Sequence, residues 1–569
     1  MAETSLNPIR LLKNLNRGRE IITVLLVYGF GDLLDRMGIL SYLKWGKRIV
    51  SFRKHEIVAN LTTAQRIRLA LEELGPTFVK FGQVLSTRAD LIPADLIEEL
   101  THLQDRVPSF DSDVSVAQVE SELGKTIDVA FAEFTREPLA AGSLAQVHRA
   151  RHFDGRDLAV KVRRPRIVFE IERDLGVLLE LAQLLDRQVP ESRVFDPIGL
   201  VNHFARTIRR ELNFRREART TQEFARLFKD DPRVRVPDVV ESLSTDAVLT
   251  MEYIDGIKID DMPRLHHAQV DTELVARRLA EIYLRMIFQE GFFHADPHPG
   301  NILVQRGNVV ALIDFGMVGR ISERSREDIE EMLLAIIGRD VPMLTTLIKR
   351  LGSTPADIDE SAFSNDIAEF VGQYAHTSLE RFSLGAALRD MTSIIRRHRI
   401  LLPSEIALMI KVLISLEGTG RRLSPQLSVI ELMRPFRKSM LLRRMNPARQ
   451  ARKMRRIFLQ LEQLAEDFPA RASSILEQIQ SGKFDVHVDH RRLGPTANRL
   501  VMGMLTSALF LGSSLMLSNK VPPVLFPTEP YWGIQDLSIF GLSGLLASLL
   551  IGARLVLAIR KSGNLDRGV

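Results

Sequence analysis

The chain has 569 residues, more than one hydrophobic core accommodates, and its 45% hydrophobic and 26% charged residues are globular proportions. It contains no cysteine, which excludes disulfides, thiolate catalysis and cysteine-built zinc sites. The net charge of +6 matters only where it is concentrated.

Residues 17–45 read as an amphipathic helix that docks on the body or lies on a membrane. Its apolar run IITVLLVYGF has ten residues, too few to span, and the start of the chain has no small-residue cleavage site. From residue 62 to about 125 the pattern is helical, broken by Gly75-Pro76 with Pro76 suited to a first turn. In the next helix, PTFVKFGQVLSTRADL, Lys80 and Gln83 are three apart and share a face. Pro93 starts another short helix, and Leu103 to Pro108 reads as a linker.

Between about 126 and 254 strands enter. Phe131 to Val147 and DLAVKV at 157–162 are joined by glycine-containing turns. Helices follow from about Pro165 to Asp186 and from about Pro197 to Phe228, then VRVPDVV and AVLTMEYIDG return to strand. After residue 270 the chain is helical, except for NILV and NVVALIDFG, a hairpin around Arg306-Gly307-Asn308. The outline is a small strand-rich lobe before a large helical one, with no internal repeat and no low-complexity tract.

Residues 434–458 hold ten Lys or Arg and no acid, a segment fit for nucleic acid, for an anionic membrane surface, or for a solvated helix face. The C-terminus favours membrane over nucleic acid. Residues 500–519 carry no charge, and 537–553 form a second apolar run that reaches Ile559 if Arg554 snorkels. At about 1.5 Å per residue, roughly 20 helical residues cross a hydrocarbon core of about 30 Å. The linker between them has Tyr531, Trp532 and one basic residue. Arg491, Arg492 and Arg499 precede the pair, and Arg560, Lys561 and Arg567 follow it. The positive-inside bias puts both ends and the large domain in the cytoplasm, of a bacterial inner membrane on the resemblance given below; two buried core helices are the alternative. Gly544, Ser548 and Gly552 make a small-residue stripe that fits the first span or a second copy of the chain, as in a homodimer.

Five polar residues require a joint explanation. Lys161 sits on a strand among valines, Glu217 on a helix, and Asp314 at the end of an apolar strand running into Asp-Phe-Gly. A carboxylate there is costly unless paired or metal-bound. Asp296 and Asn301 lie five apart in FFHADPHPGNILV, a polar loop between apolar runs. His294 and His298 in that loop have a spacing that suits a metal on a helix, but Pro297 and Pro299 argue for loop ordering instead.

This set resembles the protein-kinase-like fold, with its strand lysine, helix glutamate, loop aspartate followed five on by asparagine, and DFG aspartate. HADPHPGN in place of HRD, the alanine-rich PLAAGSLAQVH loop and the KxGQ pattern of Lys80, Gly82 and Gln83 together resemble the UbiB family of atypical kinases, which includes the mitochondrial ADCK proteins. The motifs cover roughly residues 20–340. The resemblance implies an α+β, two-lobe kinase-like fold with an N-terminal helical KxGQ extension and two C-terminal transmembrane helices. Its divisions fall at 1–60 (amphipathic region), 61–125 (extension), 126–255 (small lobe), 256–490 (helical lobe with the basic segment) and 499–559 (transmembrane hairpin).

It further implies ATP or ADP with Mg2+ as cofactors. Lys161 holds phosphate oxygens and Glu217 holds Lys161. Asn301 and Asp314 bind the metal, and Asp296 orients or deprotonates the nucleophile. The loop residues Leu139, Ala140, Ala141, Gly142, Ser143, Leu144, Ala145, Gln146 and Val147 cover the phosphates. Backbone groups of Glu252 and Ile254 meet the adenine, and Lys80 and Gln83 face the nucleotide site. Two departures stand out. Gly142 replaces a third alanine and should loosen the loop. The family's ExD pattern falls on Glu211-Leu212-Asn213, with the last charge missing. Spacing puts Asn213 and Glu217 on one helix face and sends Glu211 elsewhere, toward Arg215.

The function implied is a membrane-anchored, kinase-like ATPase supporting ubiquinone or another isoprenoid quinone biosynthesis. Its partners would be membrane lipids, prenylated quinone precursors and the enzymes that modify them, and no nucleic acid. A genuine protein kinase, a small-molecule phosphotransferase and a nucleotide-binding scaffold without turnover are the other classes.

Overall fold

Gly29, at φ +81°, ends the first helix early. In the computed structural model, which describes residues 15–39, 61–103, 108–375, 383–429, 493–525, 536–561 and isolated positions between 432 and 473, the predicted single helix over 17–45 is two helices. They are α1 (Leu15–Val27) and α2 (Gly31–Arg36), and residues 40–45 lie outside the described part. The region docks on the body: Ile21 and Val24 are buried beside Phe78 and Leu175, and Arg17 donates to Asp174 at 2.9 Å. The chain forms two compact units, Met1–Asn446 and Pro447–Val569.

A capping box between Thr62 and Gln65 starts α3 (Thr63–Leu74). Gly75, at φ +96°, ends it, and Pro76 begins α4 (Pro76–Leu85), as the sequence predicts. Pro93 precedes α5 (Ala94–Thr101). A Cβ on Gly82 would collide with Leu103 and Leu71, so this glycine lets α4 lie close against its neighbours. Asp111 caps α6 (Ser112–Leu123).

The small lobe is a four-stranded antiparallel sheet in the order β1 (Glu133–Ala141), β2 (Ala145–Arg151), β3 (Asp157–Arg163), β5 (Val248–Glu252). Alternation divides its faces. Leu158, Val160 and Val162 are buried with Val119 of α6 and with Phe131. Ala159 and Lys161 take the other face, where Lys161 pairs in register with Val147 and Leu249. After α7 (Ile167–Gln188), the helix expected over 197–228 proves to be two, α8 (Pro197–Glu211) and α9 (Phe214–Leu227). Asn213 separates them: its side chain accepts the Arg216 N–H as the cap of α9.

VRVPDVV is not one strand of the small lobe. Only β4 (Val234–Arg235) is regular, and it pairs in parallel with β9 of the large lobe before Pro237 intervenes. The large-lobe sheet runs β4, β9 (Val309–Leu312), β8 (Ile302–Gln305), β6 (Ile257–Lys258). Its β8–β9 hairpin turns through Gly307 and Asn308, both at positive φ, as predicted. Around it pack α10 (Thr272–Leu284), the short strands β7 (Phe292–His294) and β10 (Val318–Arg320), and helices α11 (Glu323–Gly338), α12 (Val341–Leu351), α13 (Glu360–Ala375), α14 (Leu384–Arg397) and α15 (Ser404–Leu423).

The second unit contains α16 (Leu493–Ser518) and α17 (Ile539–Lys561), each long and apolar enough to cross a membrane. They pack on each other. A Cβ on Gly544 would meet Ser513, and one on Gly552 would lie 3.7 Å from Thr506 Cγ2, so the small-residue stripe faces the first span. Leu500, Met504, Leu511, Leu546, Leu550 and Leu557 are exposed, unlike core-helix residues. Most of the basic segment 434–458, and Tyr531 and Trp532, lie outside the described residues.

Candidate active site

Strand alternation aims Lys161 into the space between the lobes. Its ammonium donates to both oxygens of Glu217, at 2.8 and 3.0 Å, and to Asp314 Oδ2 at 3.2 Å. It also lies 5.3 Å from the centre of the Phe214 ring, the first residue of α9. Asp314 Oδ1 accepts the Gly316 N–H at 2.9 Å. Burial opposes the Lys161 charge, but the two carboxylates outweigh it and raise its pKa above the ordinary lysine value. Burial opposes Asp314 ionisation too. There the Lys161 ammonium and the Gly316 amide prevail and hold its pKa down at about 2. At Glu217 burial wins: helped by the charges of Asp314 and Glu211, it pushes the carboxyl up to about 7 against the pull of Lys161.

The loop between β7 and β8 supplies the second pair. Asn301 Nδ2 donates to Asp296 Oδ2 at 2.8 Å, and the Ile313 N–H donates to the Asn301 carbonyl at 3.2 Å, bringing Asn301 beside the strand end that carries Asp314. The two histidines order the loop, as predicted. His298 Nδ1 accepts the Gly300 N–H at 3.1 Å. His294 is buried between the Tyr283 hydroxyl, 3.0 Å away, and the Asp314 carbonyl. Burial lowers its pKa, so it sits there neutral.

The donor set suits Mg2+. Asn301 spends its amide N–H on Asp296 and keeps an oxygen, and Asp314 offers a partly exposed carboxylate. Among the described residues no cluster of three metal-binding side chains exists.

Several predicted positions differ from expectation. Glu211 is at the cleft, not with Arg215. Its Oε1 accepts from Lys80 Nζ at 2.8 Å, while Arg215 stands 3.7 Å from Asp246. A Cβ on Gly316 would lie 3.1 Å from Asp314 Oδ1, 3.7 Å from Glu211 Cγ and 3.9 Å from Glu217 Oε2, so three acidic side chains converge there. The reason is the break at Leu212–Asn213, which cancels the single-helix spacing. Asn213 serves as the cap of α9. Gln83 donates to the Leu103 carbonyl at 3.3 Å, within the extension itself.

The alanine-rich loop is also divided. Ala145 and Val147 face the cleft with Ala159 and Met251. Gln146 is on the opposite face, where it accepts the Phe110 N–H and meets His148. Leu144 is buried in the core shared with the extension, and Leu139 is exposed. Ser143 is buried, and its hydroxyl has no partner among the described residues. Gly142 does not loosen the turn: its N–H donates to the Ala145 carbonyl at 2.8 Å and its carbonyl accepts from Arg164 at 2.9 Å. The Glu252 N–H donates to the Asp238 carbonyl at 2.8 Å, so of its two backbone groups the carbonyl is the one that could meet an adenine. The Ile254 amide has no intrachain partner among the described residues, and its side chain packs on Leu303 and Ala311 below the cleft.

The chain is similar to known proteins over most of its length. Residues 102–347 match the ABC1 atypical kinase-like domain, 367–428 the UbiB helical domain, and 487–561 the ABC1/UbiB kinase-like C-terminal domain. The protein described as "Probable protein kinase UbiB" from Azotobacter vinelandii is 34% identical over 82% of this chain and 86% of its own length. An "Uncharacterized protein in hydrogenase 1 5'region" from Clostridium pasteurianum is 31% identical over 96% and 99%. A solved structure titled "The complex structure of Rv3197-erythromycin from Mycobacterium tuberculosis" is 24% identical, covers 62% of this chain and 90% of that one, and has a TM-score of 0.47.

Proposed function

The chain belongs to the ABC1/UbiB family of atypical kinase-like proteins, and from that premise we propose that it is a membrane-anchored, Mg2+-dependent ATPase supporting isoprenoid quinone, most simply ubiquinone, biosynthesis. The observation that carries the ATP reading is Lys161 within 3.2 Å of both Glu217 and Asp314, beside the Asp296–Asn301 pair. Bound Mg-ATP would supply the transferable phosphoryl group and the divalent charge.

The side chains divide the work. Glu217 holds Lys161 extended, so its ammonium stays at the mouth of the cleft to meet phosphate oxygens. Asn301 and Asp314 are the metal ligands. Asn301 fixes one oxygen of Asp296 and leaves the other to accept the proton of water or of an acceptor hydroxyl. Ala145, Val147, Ala159 and Met251 form a dry ceiling for the base. The Lys80–Glu211 ion pair ties the extension across the site and favours water or a small acceptor over a peptide. A genuine protein kinase would have to release that pair first.

The two apolar helices would anchor the chain in a bacterial plasma membrane with the catalytic unit on the cytoplasmic side, near prenylated quinone precursors and the enzymes that modify them. The test is phosphate release by the full chain in nanodiscs with and without anionic lipid and a quinone-like phenol. Asp296→Asn should lower kcat by about 100- to 1,000-fold while the protein stays folded. An undiminished rate in that variant would remove the enzyme reading.

A further inference from the structure

Arg164 holds the turn between β1 and β2 from behind. Alternation carries Leu158, Val160 and Val162 to the face away from Lys161, and Arg164 continues that series one residue past the end of β3. Pro165 follows it and keeps its backbone extended, and the Arg164 N–H still donates to the Leu144 carbonyl at 2.9 Å. The side chain leaves the sheet where Phe110 packs on the Val160 core. Its guanidinium carbon lies 5.3 Å from the centre of that ring.

There the guanidinium joins two segments that are far apart in the chain. Nη2 donates to the Pro108 carbonyl at 2.7 Å, and Nε donates to the Gly142 carbonyl at 2.9 Å. Phe110 is held from the sheet as well, its N–H donating to Gln146 Oε1 at 3.1 Å. Within the turn, the Gly142 N–H donates to the Ala145 carbonyl at 2.8 Å. Arg164 thus grips two carbonyls of one short turn, Gly142 by its side chain and Leu144 by its backbone.

The consequence falls on the peptide unit between Gly142 and Ser143. In a trans peptide the carbonyl and the following N–H point in opposite directions, so holding the Gly142 carbonyl turns the Ser143 N–H away from the guanidinium. Ser143 is buried, yet its N–H and its hydroxyl have no partner among the described residues, a deficit that an anion would remove. The turn also adjoins the site. Val147 stands opposite Lys161 in the ladder, and Ala145, two residues or about 7 Å nearer the turn, lines the same face with Ala159 and Met251. We propose that Arg164 is a positioning residue for the phosphates of the bound nucleotide: by fixing the Gly142–Ser143 peptide from behind, it presents the Ser143 N–H to a phosphate oxygen. This rests on the ATP reading above. Arg164 itself does not touch the nucleotide, and acts through the turn it holds.

ATP and ADP carry phosphates and adenosine carries none, so Arg164 should act on the first two alone. The test is calorimetric binding of Mg-ATP, Mg-ADP and adenosine to the full chain in nanodiscs, with unfolding midpoints, for wild type, Arg164→Ala and Arg164→Lys. Arg164→Ala should weaken ATP and ADP by about tenfold each and leave adenosine within about twofold. Arg164→Lys keeps one donor for the Gly142 carbonyl and should weaken the nucleotides by only about threefold. Where Arg164→Ala unfolds too early to titrate, the same selective loss in Arg164→Lys supports the proposal and its absence overturns it. Nucleotide binding unchanged in both variants would overturn the proposal while leaving the ATP reading intact. An equal loss for adenosine would overturn it in favour of a general structural role. A wild type that binds neither nucleotide removes both readings.

Discussion

Lys161 and Lys80 both end 2.8 Å from a glutamate, but the two pairs do different things. Lys161 joins β3 to α9 inside the catalytic fold and is shared with Asp314, so losing one partner leaves it another. Lys80 joins the extension to the end of α8 and holds a separate layer over the same cleft. The first pair is largely buried, with Glu217 only 4% exposed. The second is a clasp between elements, with both side chains 14% exposed. Breaking a buried pair strands a charge; opening a clasp mostly frees a layer.

Lys161→Met should show the largest effect, a loss of about 3 kcal/mol in denaturant unfolding, because Glu217 and Asp314 lose their common cation. Its pH dependence sharpens the point. Folded Glu217 titrates at about 7 against an ordinary 4.5, so its linked stability is greatest below pH 4.5 and declines as pH rises to 7. Removing Lys161 raises that folded value further, and the decline should continue above pH 7. Asp314 works in the opposite sense: held at about 2 against 3.8, its contribution is full above 3.8 and disappears as pH falls toward 2.

On the extension side, Gly82→Val should cost about 2 kcal/mol through collision with Leu71 and Leu103, read as a lower unfolding midpoint. Glu211→Gln should cost about 1 kcal/mol or less. It should also increase limited proteolysis around residues 86–110; unchanged proteolysis would mean that the clasp does not hold the layer. Gly142→Ala should be the smallest, within about 0.5 kcal/mol. The position has no left-handed φ, and a Cβ would stand 3.6 Å from the Ala145 carbonyl, an ordinary contact.

The residues legible in the sequence were those that local pattern determines. Alternation in LAVKV aims Lys161, the end of an apolar strand marks Asp314, and the Asp296–Asn301 spacing survives because one short loop carries both. The same alternation would have put Gln146 on the face opposite Val147, so that assignment was within reach of the sequence. Glu211 was not, because its partner Lys80 is 131 residues away and its direction depends on where α8 stops. Asn213 signalled that stop, since a short polar side chain that accepts an N–H three residues on is a helix start.

The most direct measurement is calorimetric titration of the full chain with ATP, with and without Mg2+, for wild type, Lys161→Met and Asp314→Asn. The account predicts Mg2+-dependent binding in the wild type, binding weakened by Lys161→Met, and a loss of the Mg2+ dependence in Asp314→Asn. Binding that is indifferent to both substitutions, or none in the wild type, would contradict a nucleotide site built on these residues.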